Sequence, residues 1–143
     1  MLDVYVAYSD IIDMSDEGKI ILPESLKAKA GDKIALFYSH NPNDKDDNKS
    51  DGIALRLYNE EIMNQYLLEL MDRLNTETNI QVLENLEIEK NKILSTYIGI
   101  VTVDNEGSIM IPQVARDLVF KEKRNIHIDG QMERGIPYVK VYK

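Results

Sequence analysis

The chain contains no cysteine. A disulfide framework and a thiolate-ligated metal site are both excluded, and the composition fits a reducing compartment. Histidine is nearly as scarce, with only His40 and His127. His40 falls in a polar segment and His127 on an apolar strand pattern, where a surface or hydrogen-bonded core position is the ordinary reading. Gly18, Gly31, Gly52, Gly99, Gly107, Gly130 and Gly135 fall into neither a G-x-G-x-x-G nor a phosphate-loop spacing. No stretch approaches the roughly 20 consecutive apolar residues of a membrane span. The opening Met1-Leu2-Asp3-Val4-Tyr5 lacks the basic-then-apolar order of a secretory signal. These absences set the expectations of a cytoplasmic protein that is not an enzyme, with no metal, cofactor, membrane or small-molecule substrate.

What is present suits a packed fold. The 143 residues are enough for one compact domain or two small interlocked halves, and 43% of them are hydrophobic. A net charge of −8 argues against a protein that simply coats nucleic acid, since non-specific affinity comes from neutralising phosphates. That charge is uneven. Residues 1–58 carry 11 acids and 7 bases, residues 59–96 carry 8 and 3, and residues 97–143 carry 6 and 7.

The strongest pattern is an internal repeat. Val103-Asp104-Asn105-Glu106-Gly107-Ser108-Ile109-Met110-Ile111-Pro112 is echoed by Met14-Ser15-Asp16-Glu17-Gly18-Lys19-Ile20-Ile21-Leu22-Pro23. Each copy reads as a strand, a turn at Glu-Gly, a short alternating strand, and a proline suited to open a helix. The first helix would place Leu26 and Ala30 inward and the second Ala115, Leu118 and Val119. A strand pair follows each copy: Lys33 to Tyr38 with Ile53 to Tyr58, and Arg124 to Ile128 with Ile136 to Tyr142. Between the first pair, His40 to Asp51 reads as an exposed, mobile loop. Its aspartates do not make an EF-hand, because Lys49 and Leu55 stand where the glycine and the glutamate are needed. Between the copies lie two helices. One is capped by Asn59 and carries Ile62, Tyr66, Leu67, Leu70 and Leu74. The other runs from Ile80 to Leu94, with Ile80, Leu83 and Leu86 as its apolar stripe. The organisation is thus 1–58 as first repeat, 59–96 as helical insert and 97–143 as second repeat.

On these residues the chain resembles the MraZ family, the two-copy branch of the AbrB/SpoVT-like swapped-hairpin proteins. Its motif is an aspartate, then glycine-arginine, alternating aliphatics and proline, often with an arginine four residues on. The second copy matches with Asp104, Gly107, Ile109, Ile111, Pro112 and Arg116, and Ser108 replaces the glycine-adjacent arginine. The first copy matches with Gly18, Ile20, Leu22 and Pro23; Ser15 replaces the aspartate, and Lys19 and Lys27 stand at the basic positions. The resemblance implies an α+β fold of two swapped-hairpin β-barrel repeats related by a pseudo-two-fold, with the helical insert between them. It also implies a ring-shaped homo-oligomer that binds repeated operator DNA and is nucleoid-associated when bound. The DNA-contacting candidates are then Lys19, Lys27, Lys29 and Arg116. Lysine at position 19 keeps the charge but loses the planar fork that pairs bidentately with guanine or phosphate. Arg116 has a second reading, pairing with an acid such as Asp104 to hold the motif. The rival function is a family member that keeps the fold, has lost DNA binding and acts through protein contacts.

Overall fold

The computed structural model describes residues 4–26, 28–40 and 52–143. Lys27 and residues 41–51, most of the segment read above as a loop, lie outside the described residues. Strand β1 (Val4–Asp13) leads through a turn to the short β2 (Lys19–Ile21), and a single 3-10 turn at Glu24–Leu26 precedes β3 (Lys33–His40) and β4 (Ile53–Asn59). Helices α1 (Glu60–Thr76) and α2 (Ile80–Thr96) follow. The chain then runs through β5 (Tyr97–Thr102), β6 (Ser108–Met110), α3 (Gln113–Val119), β7 (Asn125–Glu133) and β8 (Ile136–Tyr142). The fold is α+β, and every strand pair is antiparallel.

Six strands form one sheet in the order β1-β7-β8-β4-β3-β5, while β2 and β6 form a separate two-stranded ribbon. The order reads the same from both edges. Hairpins β3–β4 and β7–β8 meet at the centre along β4–β8, and each outer strand comes from the other half of the chain. Thus β1 pairs with β7, and β5 pairs with β3. Strand β1 carries a register shift between Val6 and Tyr8.

Strand β3 shows why the sheet holds. Ile34, Ala35, Leu36 and Phe37 are all buried, because both faces of the strand are covered. Ile34 and Leu36 enter the main core with Leu57, Val139, Ile128, Ile20 and Ile109. Ala35 and Phe37 turn to the other face and pack with Met63 against Tyr58, Tyr66 and Ile93. The helical insert therefore roofs the second face of the sheet. Its helices begin where asparagine supplies caps: Asn59 Oδ1 accepts from Glu61 and Ile62 N–H, and Asn79 Oδ1 from Gln81 and Val82 N–H.

Three local expectations are corrected. The segment after Pro23 makes only one 3-10 turn, and Ala30 is exposed. The Lys29 N–H bonds the Asp32 carboxylate at 2.8 Å and the Gly31 N–H bonds the Val103 carbonyl at 2.8 Å, which draws the chain into β3 before a helix can extend. In α3, Ala115 and Val119 face inward as read, but Leu118 is 46% exposed, and the enclosed Phe120 fills the core in its place. In α2, Ile80 in the first turn is 72% exposed, while Leu86 further along is buried.

Candidate nucleic-acid interface

The two repeated turns have the same hydrogen-bond plan. In the first, Ser15 Oγ accepts from Lys19 N–H at 2.9 Å, and Ser15 N–H donates to the Lys19 carbonyl at 3.1 Å. In the second, Asp104 Oδ1 accepts from Ser108 N–H at 2.9 Å, and Asp104 N–H donates to the Ser108 carbonyl at 2.9 Å. Ser15 therefore does locally what an aspartate does at the matching place, because a hydroxyl oxygen can accept the same amide. Gly18 and Gly107 both take left-handed backbone, φ 91° and 77°.

The turns are joined across the repeat as well. Lys19 pairs with Met110, Ile20 with Ile109 and Ile21 with Ser108 in the β2–β6 ribbon. At its ends, Leu22 N–H reaches the Gly107 carbonyl at 3.0 Å, and Ile111 N–H reaches the Gly18 carbonyl at 2.8 Å. Each glycine turn thus accepts the chain leaving the other.

This geometry decides where the candidate cations go. Lys19 Nζ lies 3.1 Å from Glu106 Oε2 and 3.5 Å from Asp104 Oδ2. The hydrogen bond and charge of Glu106, and then the charge of Asp104, raise its pKa. Asp104 is held below the usual carboxylate range, first by the Ser108 backbone N–H and then by that of Glu106, with Lys19 adding to both. Lys19 is thus engaged by the opposite turn, and its side chain remains 33% exposed.

Arg116 does not pair with Asp104. Its Nε donates to the Ile111 carbonyl at 3.0 Å and its Nη1 to the Asp16 carbonyl at 3.1 Å, so it ties α3 to the first turn through backbone oxygens. Lys29 is exposed beside the 3-10 turn. Lys27 lies outside the described residues. Pro23 and Pro112 follow the ribbon strands, and Pro112 caps α3 by position without a side-chain bond. Lys19, Arg116, Gly18, Asp104 and Gly107 are brought together, and Lys29 is not among them.

Two participants were not singled out from the sequence. Glu106 is the nearer acid to Lys19, and Arg124 forms an ion pair with Asp16 at the edge of the first turn. Only the ribbon pairing makes Glu106 a neighbour of Lys19, 87 residues away, so no local pattern announces it. His127 is half-buried and stacks on Tyr142, with ring centroids 5.0 Å apart. Among the described residues, no group of three or more His, Asp or Glu is placed to hold a metal, and no helix is long and apolar enough to cross a membrane.

Ser108 carries a direct prediction. Its side chain is fully enclosed and its Oγ has no hydrogen-bond partner among the described residues. A buried unsatisfied hydroxyl destabilises by about 1–3 kcal/mol relative to a satisfied one. Ser108→Ala should raise stability by about 1 kcal/mol in urea denaturation, allowing for the poorer strand preference of alanine. A loss of that size instead would show that the hydroxyl has a partner.

Compared with protein-family models and with curated proteins, the chain matches none.

Proposed function

We propose that the protein is a DNA-binding transcriptional regulator of the MraZ type, acting as a homo-oligomer on repeated operator sites. Beneath it lies a reading of the fold as two swapped-hairpin repeats, 1–58 and 97–143, joined by the insert 59–96. The crossed strand pairs β1–β7 and β5–β3 support that reading. The observation that carries the functional proposal is the side-by-side placement of two congruent glycine turns with Lys19 spanning them. In an oligomer each copy presents this unit again, so contacts that are weak singly add along repeated DNA. Exposed apolar residues on the helical insert, Leu68, Met71, Ile88 and Leu94, offer surface for self-association.

The second reading, a protein-contact role without DNA, is favoured by one feature of the same site. Lys19 already faces two carboxylates, and Asp16 and Glu17 are exposed beside it, so an approaching phosphate meets acids as well as the cation. DNA would have to displace Glu106 from Lys19.

That competition supplies the test. A mobility-shift titration on the DNA upstream of the protein's own coding sequence should show binding at low salt that weakens as salt rises. Lys19→Ala should reduce the affinity and the salt slope, while Glu106→Gln, which frees Lys19, should tighten binding. Absence of any shift at low salt would sink the regulator and leave the protein-contact reading.

A further inference from the structure

On the far side of the sheet from the main core, the helical insert does not close down completely. A cavity of about 600 Å³ remains between α1–α2 and the β3–β4 face, a size typical of small-molecule sites. Phe37, the Tyr58 ring, Met63 and Ile93 supply apolar and aromatic walls. Phe37 and Tyr58 meet edge to face at 5.5 Å, which fixes both rings.

Into this setting β4 places a guanidinium. Arg56 lies over the Tyr138 ring at 5.0 Å, and Tyr138 stacks on Tyr58 at 5.2 Å, so packing holds the cation. The Tyr58 hydroxyl lies beside it and helps hold its charge, but its hydrogen bonding is incomplete. Nη1 has a long contact, 3.4 Å to Glu133 Oε2, and the enclosed Nε has no partner among the described residues. Burial pushes the Tyr58 phenol up and the Tyr138 phenol up to about 12, so both rings stay neutral beside the cation.

The charges on the rim can be sorted. Glu89 is taken by the Tyr66 hydroxyl and by Arg134, which bond it together. Lys92 also lines the cavity and has no ion-pair partner among the described residues. With Glu89 and Arg134 cancelling, Arg56 and Lys92 against Glu133 leave one positive charge over. A monoanion with a flat apolar body complements that balance and the aromatic walls.

We propose that this cavity binds a small aromatic carboxylate, with Arg56 as the anchor of the carboxyl group. The ligand is bound and not transformed, and the site is separate from the paired turns, so it stands whether or not the protein binds DNA. Arginine meets a carboxylate with charge-assisted hydrogen bonds, which are stronger than neutral ones, and an amide of the same shape cannot reproduce them.

Benzoate and benzamide make the test, titrated separately into the full chain and followed by amide shifts in two-dimensional NMR. Benzoate should give saturable shifts at Phe37, Arg56, Tyr58, Met63 and Ile93, and benzamide should bind at least about tenfold more weakly. Arg56→Gln should weaken benzoate about tenfold while leaving benzamide unchanged. Because Arg56 also packs on Tyr138, Ile93→Trp is the second variant. It fills the cavity from α2 and leaves Arg56 itself unchanged, and should abolish the benzoate shifts in a chain whose spectrum remains folded. No saturable shift at about 10 mM benzoate, equal binding of benzamide, or shifts that survive Ile93→Trp would each overturn the proposal.

Discussion

Replacing Gly18 by alanine lowers the stability of the folded chain by about 2–5 kcal/mol, and the same change at Gly107 lowers it by only about 1–2 kcal/mol. The two glycines occupy matching places in matching turns, and both have positive φ, 91° and 77°. Backbone strain on adding a Cβ is therefore common to both. Their surroundings differ. A Cβ on Gly18 would stand 2.7 Å from Arg116 Nε and 2.7 Å from the Ile111 carbonyl oxygen, whereas one on Gly107 would meet nothing within 4 Å. The Ile111 carbonyl cannot move freely, because Ile111 N–H is bonded to the Gly18 carbonyl and Arg116 Nε to the Ile111 carbonyl itself. The extra cost at Gly18 is thus the displacement of Arg116 and of the ribbon end it secures. Urea denaturation of the two single variants measures the difference. Equal losses would mean that Arg116 swings away without cost and is not a structural clasp.

The contrast also shows where sequence reasoning reached and where it stopped. The turns were legible because their determinants are local: Glu-Gly followed by alternating aliphatics and proline specifies a hairpin from neighbouring residues alone. The helical insert was legible for the same reason, since Asn59 and the spacing of Tyr66, Leu67 and Leu70 are local signals. The partner of each turn was not. Lys19 reads as a free cation until β2 lies against β6, and only then do Asp104 and Glu106 come within 4 Å. Arg116 reads as a partner for an acid, yet the acceptors it meets are the Ile111 and Asp16 carbonyls, which only the folding of two distant chain segments brings together. The Arg56 cavity had no sequence signal, because its walls come from β3, β4, α1 and α2 and its rim from β7 and β8. Leu118 was misplaced for a subtler reason. Its spacing from Ala115 is helical, but α3 ends at Val119, and Phe120 turns into the core and takes the space.

Phe120→Ala should cost about 3–5 kcal/mol, a large share of the roughly 5–15 kcal/mol that stabilises a domain of this size. The ring is 1% exposed and belongs to the core cluster that also holds Ile20, Leu26 and Leu36 from the first half and Ile126, Ile128 and Val139 from the second. Removing it leaves a cavity where residues from both halves meet, and the backbone around it cannot collapse easily: Phe120 N–H is bonded to the Arg116 carbonyl and Lys123 N–H to that of Phe120. The location of the loss matters more than its size. If the halves were independent, protection would fall in residues 97–143 and persist in β1, β3 and β4. The crossed pairs β1–β7 and β5–β3 predict otherwise, since neither half can open without unzipping a strand of the other. Hydrogen exchange on Phe120→Ala should therefore show amides of β3 and β7 losing protection together and by the same free energy. Separate losses would divide the chain into two folding units, whereas a shared loss makes the crossing of the halves the source of its cooperativity.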